Sequence, residues 1–138
     1  MEETEKKEKG TKVKTFPIPF ALEKSKENIT ISTNKDFKPS KEQIINQAFK
    51  FHSQGNISEA ANLYQYFINQ GFNDHRVFSN YGVILKDLGK LKEAELSYRK
   101  AIELKPDFAE AYSNLGTLLK DLGRFKEASK QFEKCLEL

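Results

Sequence analysis

FSNYGVILKDLGKLKEAELSYRKAIELKP, residues Phe78–Pro106, recurs as YSNLGTLLKDLGRFKEASKQFEKCLEL, residues Tyr112–Leu138. The two copies are offset by 34 residues (112 − 78), and this period is typical of repeats that consist of two helices joined by a turn. Such repeats bury their apolar faces by stacking on their neighbours. The sequence therefore predicts an array of helix pairs.

Composition and charge exclude several classes of protein. The 138 residues carry a net charge of +3, whereas a nucleic-acid partner requires a clustered basic surface. No stretch approaches the ~18–20 apolar residues of a transmembrane helix. The N-terminal residues MEETEKKEKG lack the apolar core of a secretory signal. We therefore predict no nucleic-acid partner, no membrane partner and a cytoplasmic location.

Residues that could carry out catalysis or bind a metal are sparse. Cys135 is the single cysteine, so it cannot form an internal disulfide, and it is predicted to be a small core residue because Ala101 has the same phase. His52 and His75 lie in different repeats without ligand spacing, and motifs for phosphate binding or nucleophilic catalysis are absent from the sequence. We predict a chain that is not an enzyme and that uses no cofactor and no metal.

The N-terminal part differs from the repeats. Residues 1–39 are charged and poor in apolar side chains, which predicts a disordered or extended tail. Within this tail the cluster Phe16–Leu22, FPIPFAL, contains two prolines and is incompatible with a helix interior. Two interpretations stay open for the cluster: a short docking peptide, or a loose apolar patch without a role.

Residues 40–138 are predicted to form three repeats, 41–74, 75–108 and 109–138, of two amphipathic helices each. The predicted helices are Lys41–Ser53, Ile57–Gln70, His75–Asp87, Leu91–Leu104, Ala109–Asp121 and Phe125–Leu138. Ser40 and Gln43 match a capping box at the start of the first helix. Gly55, Gly89 and Gly123 follow the first helix of each repeat, where a glycine in a left-handed conformation ends a helix at little cost.

The shared positions resemble the tetratricopeptide repeat. In the second repeat they are Phe78, Tyr81, Gly82, Leu85, Ala94, Tyr98, Ala101 and Pro106, and in the third they are Tyr112, Leu115, Gly116, Leu119, Ala128, Phe132 and Cys135. The first repeat matches less closely, with Gln47 and Phe67 where the family prefers leucine and a small residue. The resemblance implies an all-α, right-handed superhelix (α-solenoid) of three repeats whose concave groove binds a protein or peptide.

Asparagine is kept at one phase of all three repeats, at Asn46, Asn80 and Asn114, although it is a poor helix former. The other shared glycine, alanine and glutamate phases are explained by turns, close helix contact and the positive end of the helix dipole. One interpretation is a ladder of side-chain amides that holds an extended peptide by its main chain. This is similar to the ladder in the repeat arm of the O-linked N-acetylglucosamine transferase. The other interpretation is bonding between helices, or descent from repeat duplication.

Further residues are predicted to line the groove because they share the inward phases of the first helices. They are Phe49 in the first repeat, Arg76, Ser79, Val83 and Lys86 in the second, and Ser113, Thr117 and Lys120 in the third. Another branch of the family clamps a C-terminal carboxylate with Lys and Asn at two of these phases. The first repeat has Ile45 and Phe49 there, which disfavours the clamp.

The function predicted from these features is a non-catalytic interaction module, a scaffold or adaptor that binds an extended peptide or a partner helix. One alternative is the substrate-recruitment arm of a larger glycosyltransferase, sulfotransferase or methyltransferase, and another is a self-assembling structural repeat unit. Because the last repeat is followed by no polar capping helix, Phe132 and Leu136 are predicted to stay partly exposed and to promote a homodimer through the C-terminal helix.

Overall fold

The computed structural model describes residues 38–138, and within them six α-helices and no strand. The helices are α1 Lys41–Ser53, α2 Ile57–Asn69, α3 His75–Asp87, α4 Leu91–Leu104, α5 Ala109–Asp121 and α6 Phe125–Glu137. Four of them have the predicted bounds, while α2 and α6 end one residue earlier. The predicted tail, with its cluster Phe16–Leu22, lies outside the described residues except for positions 38 and 39. None of the described helices is long and apolar enough to cross a membrane.

Local signals in the sequence set the helix ends. At the start of α1 the Ser40 hydroxyl accepts the backbone N–H of Gln43 at 3.2 Å, and the Ser40 N–H donates to Gln43 Oε1 at 2.8 Å, which completes the predicted capping box. The glycines after α1, α3 and α5 have φ values of +78°, +76° and +74°. Because side chains are strained at such angles, glycine is required at these three turns.

The chain divides into two compact units, one that ends at Phe72 and one that spans Asn73–Leu138. The first unit contains α1 and α2, whose interface buries Ile44, Ala48, Leu63, Tyr64 and Phe67. These residues recur at helical spacing, so each helix presents one apolar face to the other.

The second unit contains α3 to α6 and is built around one apolar cluster. Its buried members are Leu85, Ala94, Tyr98, Leu115, Leu118, Leu119 and Ala128. A Cβ atom added to Gly82 would lie 2.6 Å from Cε1 of Tyr98, and one added to Gly116 would lie 2.7 Å from Cε1 of Phe132. The two glycines are therefore required where the paired helices approach closely.

The last helix is less covered than its counterpart α4. Leu136 is 87% exposed and Phe132 is half-buried, which confirms the predicted exposure of both side chains. Cys135 is only partly buried, whereas Ala101 at the same phase is fully buried. The prediction of Cys135 as a core residue was therefore wrong, because among the described residues no further helix packs on this side of α6.

Gln47 is a polar residue buried in the first unit. It is 2% exposed, and its Oε1 atom has no hydrogen-bond partner among the described residues. The equivalent position of the third repeat is the buried apolar Leu115. A buried acceptor without a partner costs roughly 1–3 kcal/mol, so the polar side chain destabilises the unit.

We predict that Gln47→Leu raises the free energy of unfolding by about 1 kcal/mol or more, because it removes this desolvated oxygen. Urea unfolding, monitored by circular dichroism, measures the change in the free energy of unfolding. The control is Gln54→Leu at an exposed position, for which we expect no stabilisation. Lower or equal stability of Gln47→Leu would contradict the assignment.

Candidate binding surface

The predicted groove residues of the second unit lie on α3 and α5, which are side by side. We call this the α3–α5 surface. Its residues are Arg76, Asn80, Val83 and Lys86 on α3 and Ser113, Asn114, Thr117 and Lys120 on α5. Apart from the adjacent Ser113 and Asn114, neighbouring members on each helix are three or four positions apart, so they share one side of it.

Ser79 does not line the open surface, although the sequence predicted that it would. Its side chain is fully buried, donates to Glu110 Oε1 at 3.2 Å, and accepts a hydrogen bond from Asn114 Nδ2 at 3.3 Å. The Ser79 hydroxyl thus joins two side chains of α5 to α3. Asn114 therefore has a structural partner, as the second interpretation of the asparagines proposed.

Asn80 has a different environment. Its side chain is half-buried and makes no hydrogen bond within residues 38–138. Asn114 bonds a serine 35 positions before it (114 − 79), but the residue 35 positions before Asn80 is Ile45, which has no hydroxyl. Asn80 therefore presents an amide donor and an amide acceptor that the described fold does not use.

The other polar residues of the surface bond locally. Thr117 Oγ1 donates to the carbonyl oxygen of Ser113 at 3.0 Å, one helical turn earlier. Both side chains are half-buried. Val83 is also half-buried and packs against the apolar cluster of the unit. The middle of the surface therefore combines one unused amide with weakly polar and apolar groups.

Much of the positive charge on this surface is already paired. Arg76 Nη2 lies 2.8 Å from Asp74 Oδ2, and Lys86 Nζ lies 3.5 Å from Asp121 Oδ2. Burial raises the pKa of Asp74, but hydrogen bonds from Arg76 outweigh burial and hold the pKa below its ordinary value. Lys120 is exposed. The surface is therefore not built around a strong cluster of cations.

The first unit holds the remaining predicted residues. Asn46 is exposed on α1, and Phe49 is half-buried with its ring centroid 6.2 Å from that of Tyr64. His52 Nδ1 lies 3.0 Å from the Tyr64 hydroxyl oxygen. Ile45 is 1% exposed and so is unavailable to a ligand. The structure thus places Asn46 and part of Phe49 at the surface of this unit.

A second concave feature of the second unit was missed by sequence reasoning. It is a cavity of about 610 Å³, mostly apolar, lined by Leu91, Lys92, Glu95, Leu96, Leu122 and Arg124. Its wall is held in place by Glu95, which accepts hydrogen bonds from Arg124 Nη1 and Arg99 Nη2 at 2.7 Å each.

No group of three or more potential metal ligands occurs in the part of the chain that the structure describes.

Part of the second unit matches a known family of repeat proteins. A family model described as "TPR repeat" matches residues 82–123, and one described as "Tetratricopeptide repeat" matches residues 109–138. These matches support the tetratricopeptide repeat family, which agrees with the resemblance in the sequence. Among curated proteins, none matches the chain significantly.

Similar solved structures give the same fold class. "Crystal structure of MamA" is 26% identical with a TM-score of 0.65, covering 71% of this chain and 57% of that one. "Second TPR of Spaghetti (RPAP3) bound to HSP90 peptide SRMEEVD" is 27% identical with a TM-score of 0.64, covering 71% and 94%. The corresponding first TPR is 25% identical with a TM-score of 0.64, covering 70% and 77%. The chain is thus an all-α helical-repeat solenoid that spans little more than half of the MamA chain.

We predict that Ser79 and Asn114 are energetically coupled. Ser79→Ala and Asn114→Ala should each lower the free energy of unfolding by about 0.5–1.5 kcal/mol. The double variant should lose less than the sum of the two, by about 0.5 kcal/mol or more. The control cycle pairs Asn80→Ala with Ser113→Ala, which share no hydrogen bond in residues 38–138, and should be additive. Additivity of the Ser79 and Asn114 cycle would contradict the bond.

We also predict acid sensitivity through Glu95. Burial raises its pKa, but hydrogen bonds from Arg124 and Arg99 prevail and hold the pKa below the ordinary 4.5. A lowered folded-state pKa adds stability above pH 4.5, and this stability is lost as the pH falls through the folded value. Glu95→Gln should therefore reduce the fall in melting temperature at acidic pH. The control is Glu103→Gln, at an exposed ion pair, for which we expect the same fall in melting temperature as in the wild type. An unaltered pH profile for Glu95→Gln would argue against the network.

Proposed function

We propose that the chain is a non-catalytic protein–protein interaction module that binds an extended peptide or a partner helix on the α3–α5 surface. The observation that carries the proposal is the amide of Asn80, which is half-buried and makes no hydrogen bond within the described residues. A poor helix former at this position has a cost in stability, and a ligand would use the amide that the fold leaves free.

The amide chemistry favours recognition of a peptide main chain. A side-chain amide has one acceptor oxygen and two N–H donors, so it matches the alternating C=O and N–H groups of an extended backbone. Asn114 uses one donor on Ser79, and its oxygen and second N–H remain for a ligand. In this proposal Asn80 and Asn114 hold the main chain, while Val83 and Thr117 contact alternate side chains.

The solved relatives support a peptide ligand in general, without naming the peptide. Two of them are TPR domains bound to an HSP90 peptide, SRMEEVD. In the first repeat of this chain, Ile45 is buried and Phe49 is aromatic, so the carboxylate clamp, which the sequence disfavours, has no polar residues there. We therefore propose main-chain recognition for this chain, in a scaffold or adaptor role in the cytoplasm.

The recruitment-arm alternative uses the same surface. In that case the peptide would belong to the substrate of a glycosyltransferase, sulfotransferase or methyltransferase domain outside this sequence. Repeat modules of this family are generally non-catalytic, and the family matches at residues 82–138 support the same role here. The two proposals differ in the rest of the protein and agree on the ligand-binding residues.

We predict that Asn80→Ala lowers the affinity for peptides selected on the wild-type chain by about fivefold to tenfold, because one good hydrogen bond contributes about 1 kcal/mol. Peptide arrays identify ligands, and isothermal calorimetry measures the affinity. The unfolding free energy should not fall, since within the described residues the Asn80 amide has no partner to lose.

The matched control is Asn69→Ala, which removes an exposed amide from α2, and we expect it to bind like the wild type. Asn114→Ala is less diagnostic because it also breaks the bond to Ser79. Equal affinity of Asn80→Ala and wild type for every selected peptide would refute the proposed role of the amide.

A further inference from the structure

The last helix exposes apolar side chains whose counterparts one repeat earlier are covered. Leu91 and Ile102 on α4 pack against the apolar cluster of the second unit. The residues 34 positions later are Phe125 and Leu136 on α6, which are 67% and 87% exposed. Within the described residues this face of α6 has no partner, although its side chains are of the same apolar type.

Three apolar residues and one serine on one side of α6 follow a heptad spacing. Phe125 and Leu136 are exposed, whereas Phe132 is half-buried against Gly116 and the apolar cluster of the unit. Phe125, Ser129, Phe132 and Leu136 are separated by four, three and four residues, the alternation of a and d positions in a two-helix coiled coil. They therefore form one stripe along the helix, with the small Ser129 in its middle. A stripe of this kind fits another helix of the same length.

The charges beside the stripe identify the orientation of that second helix. The position after each d residue carries Lys126 near the start of α6 and Glu133 near its end. In an antiparallel pair the corresponding positions of the two helices lie next to each other, so Lys126 of one helix would meet Glu133 of the other. A second copy of α6 is therefore complementary to the first in both apolar and charged residues.

Stacking of one chain's first repeat on the last repeat of another is disfavoured by the residues of α1. At the positions where α5 has the buried residues Ala111 and Leu118, α1 has Gln43 and Lys50. Such a polar face is poorly suited to cover Phe125 and Leu136. A pairing of two α6 helices is isologous, with the same surface on both copies, and it closes at two chains.

We propose that two copies of this chain form a dimer through antiparallel α6 helices, with Phe125 of each copy packed on Leu136 of the other. The dimer goes beyond the proposed peptide binding, because it uses α6 and leaves the α3–α5 surface free. Two identical binding surfaces would then be linked, which increases the apparent affinity for a ligand with two copies of the peptide.

Sedimentation equilibrium of the complete chain tests the dimer. We expect reversible association, weakened at least about tenfold by Leu136→Lys, because a buried leucine is replaced by a charge on both sides of the two-fold axis. The control is Leu96→Lys, at a residue 68% exposed on α4, which should associate like the wild type. Circular dichroism should show the same helix content for both variants.

A charge exchange tests the antiparallel orientation. Lys126→Glu and Glu133→Lys should each weaken the dimer, and the double variant Lys126→Glu/Glu133→Lys should restore it. A strictly monomeric chain, or a dimer that Leu136→Lys leaves unchanged, would overturn the proposal. A dimer that the double variant fails to restore would overturn the antiparallel pairing.

Discussion

Close contact between an aromatic ring and a glycine is the constraint on which the second unit depends. Tyr98 covers Gly82 and Phe132 covers Gly116, at distances that leave no space for a Cβ atom. The contact sets how near α3 lies to α4 and α5 to α6, and hence which side chains reach the apolar cluster between them. The buried leucines fill the space that this approach defines, and the polar residues of α3 and α5 are placed by it.

Most of this fold could be predicted from the sequence because its determinants are local. The 34-residue period, the glycines at positive φ and the capping residues each act within a few positions, so the bounds of α1, α3, α4 and α5 followed from them. Cys135 could not be placed correctly in this way. Its burial depends on what packs beside α6, and the residue at the same phase, Ala101, is covered by neighbours that α6 lacks within the described residues.

The candidate site was predicted less well, because its contacts join residues far apart in the chain. The pattern marked Ser79 and Asn114 as groove residues, but the structure bonds them to each other across 35 positions. The role of Glu110 as a partner of Ser79 had no signal in the pattern. The sequence signal that could have revealed the bond is a serine 35 positions before an asparagine, which is one 34-residue period plus one residue.

The same spacing shows why residues that are identical in every repeat need not have one role. Asn114 has a serine 35 positions before it, whereas Asn80 has Ile45 at that distance. Asn114 therefore has a hydrogen-bond partner one repeat earlier, whereas the Asn80 amide makes no hydrogen bond within residues 38–138. The same residue at the same phase thus has different hydrogen-bond partners in different repeats. Asn80 is consequently a stronger candidate for ligand contact than Asn114, although the two are indistinguishable in the repeat pattern.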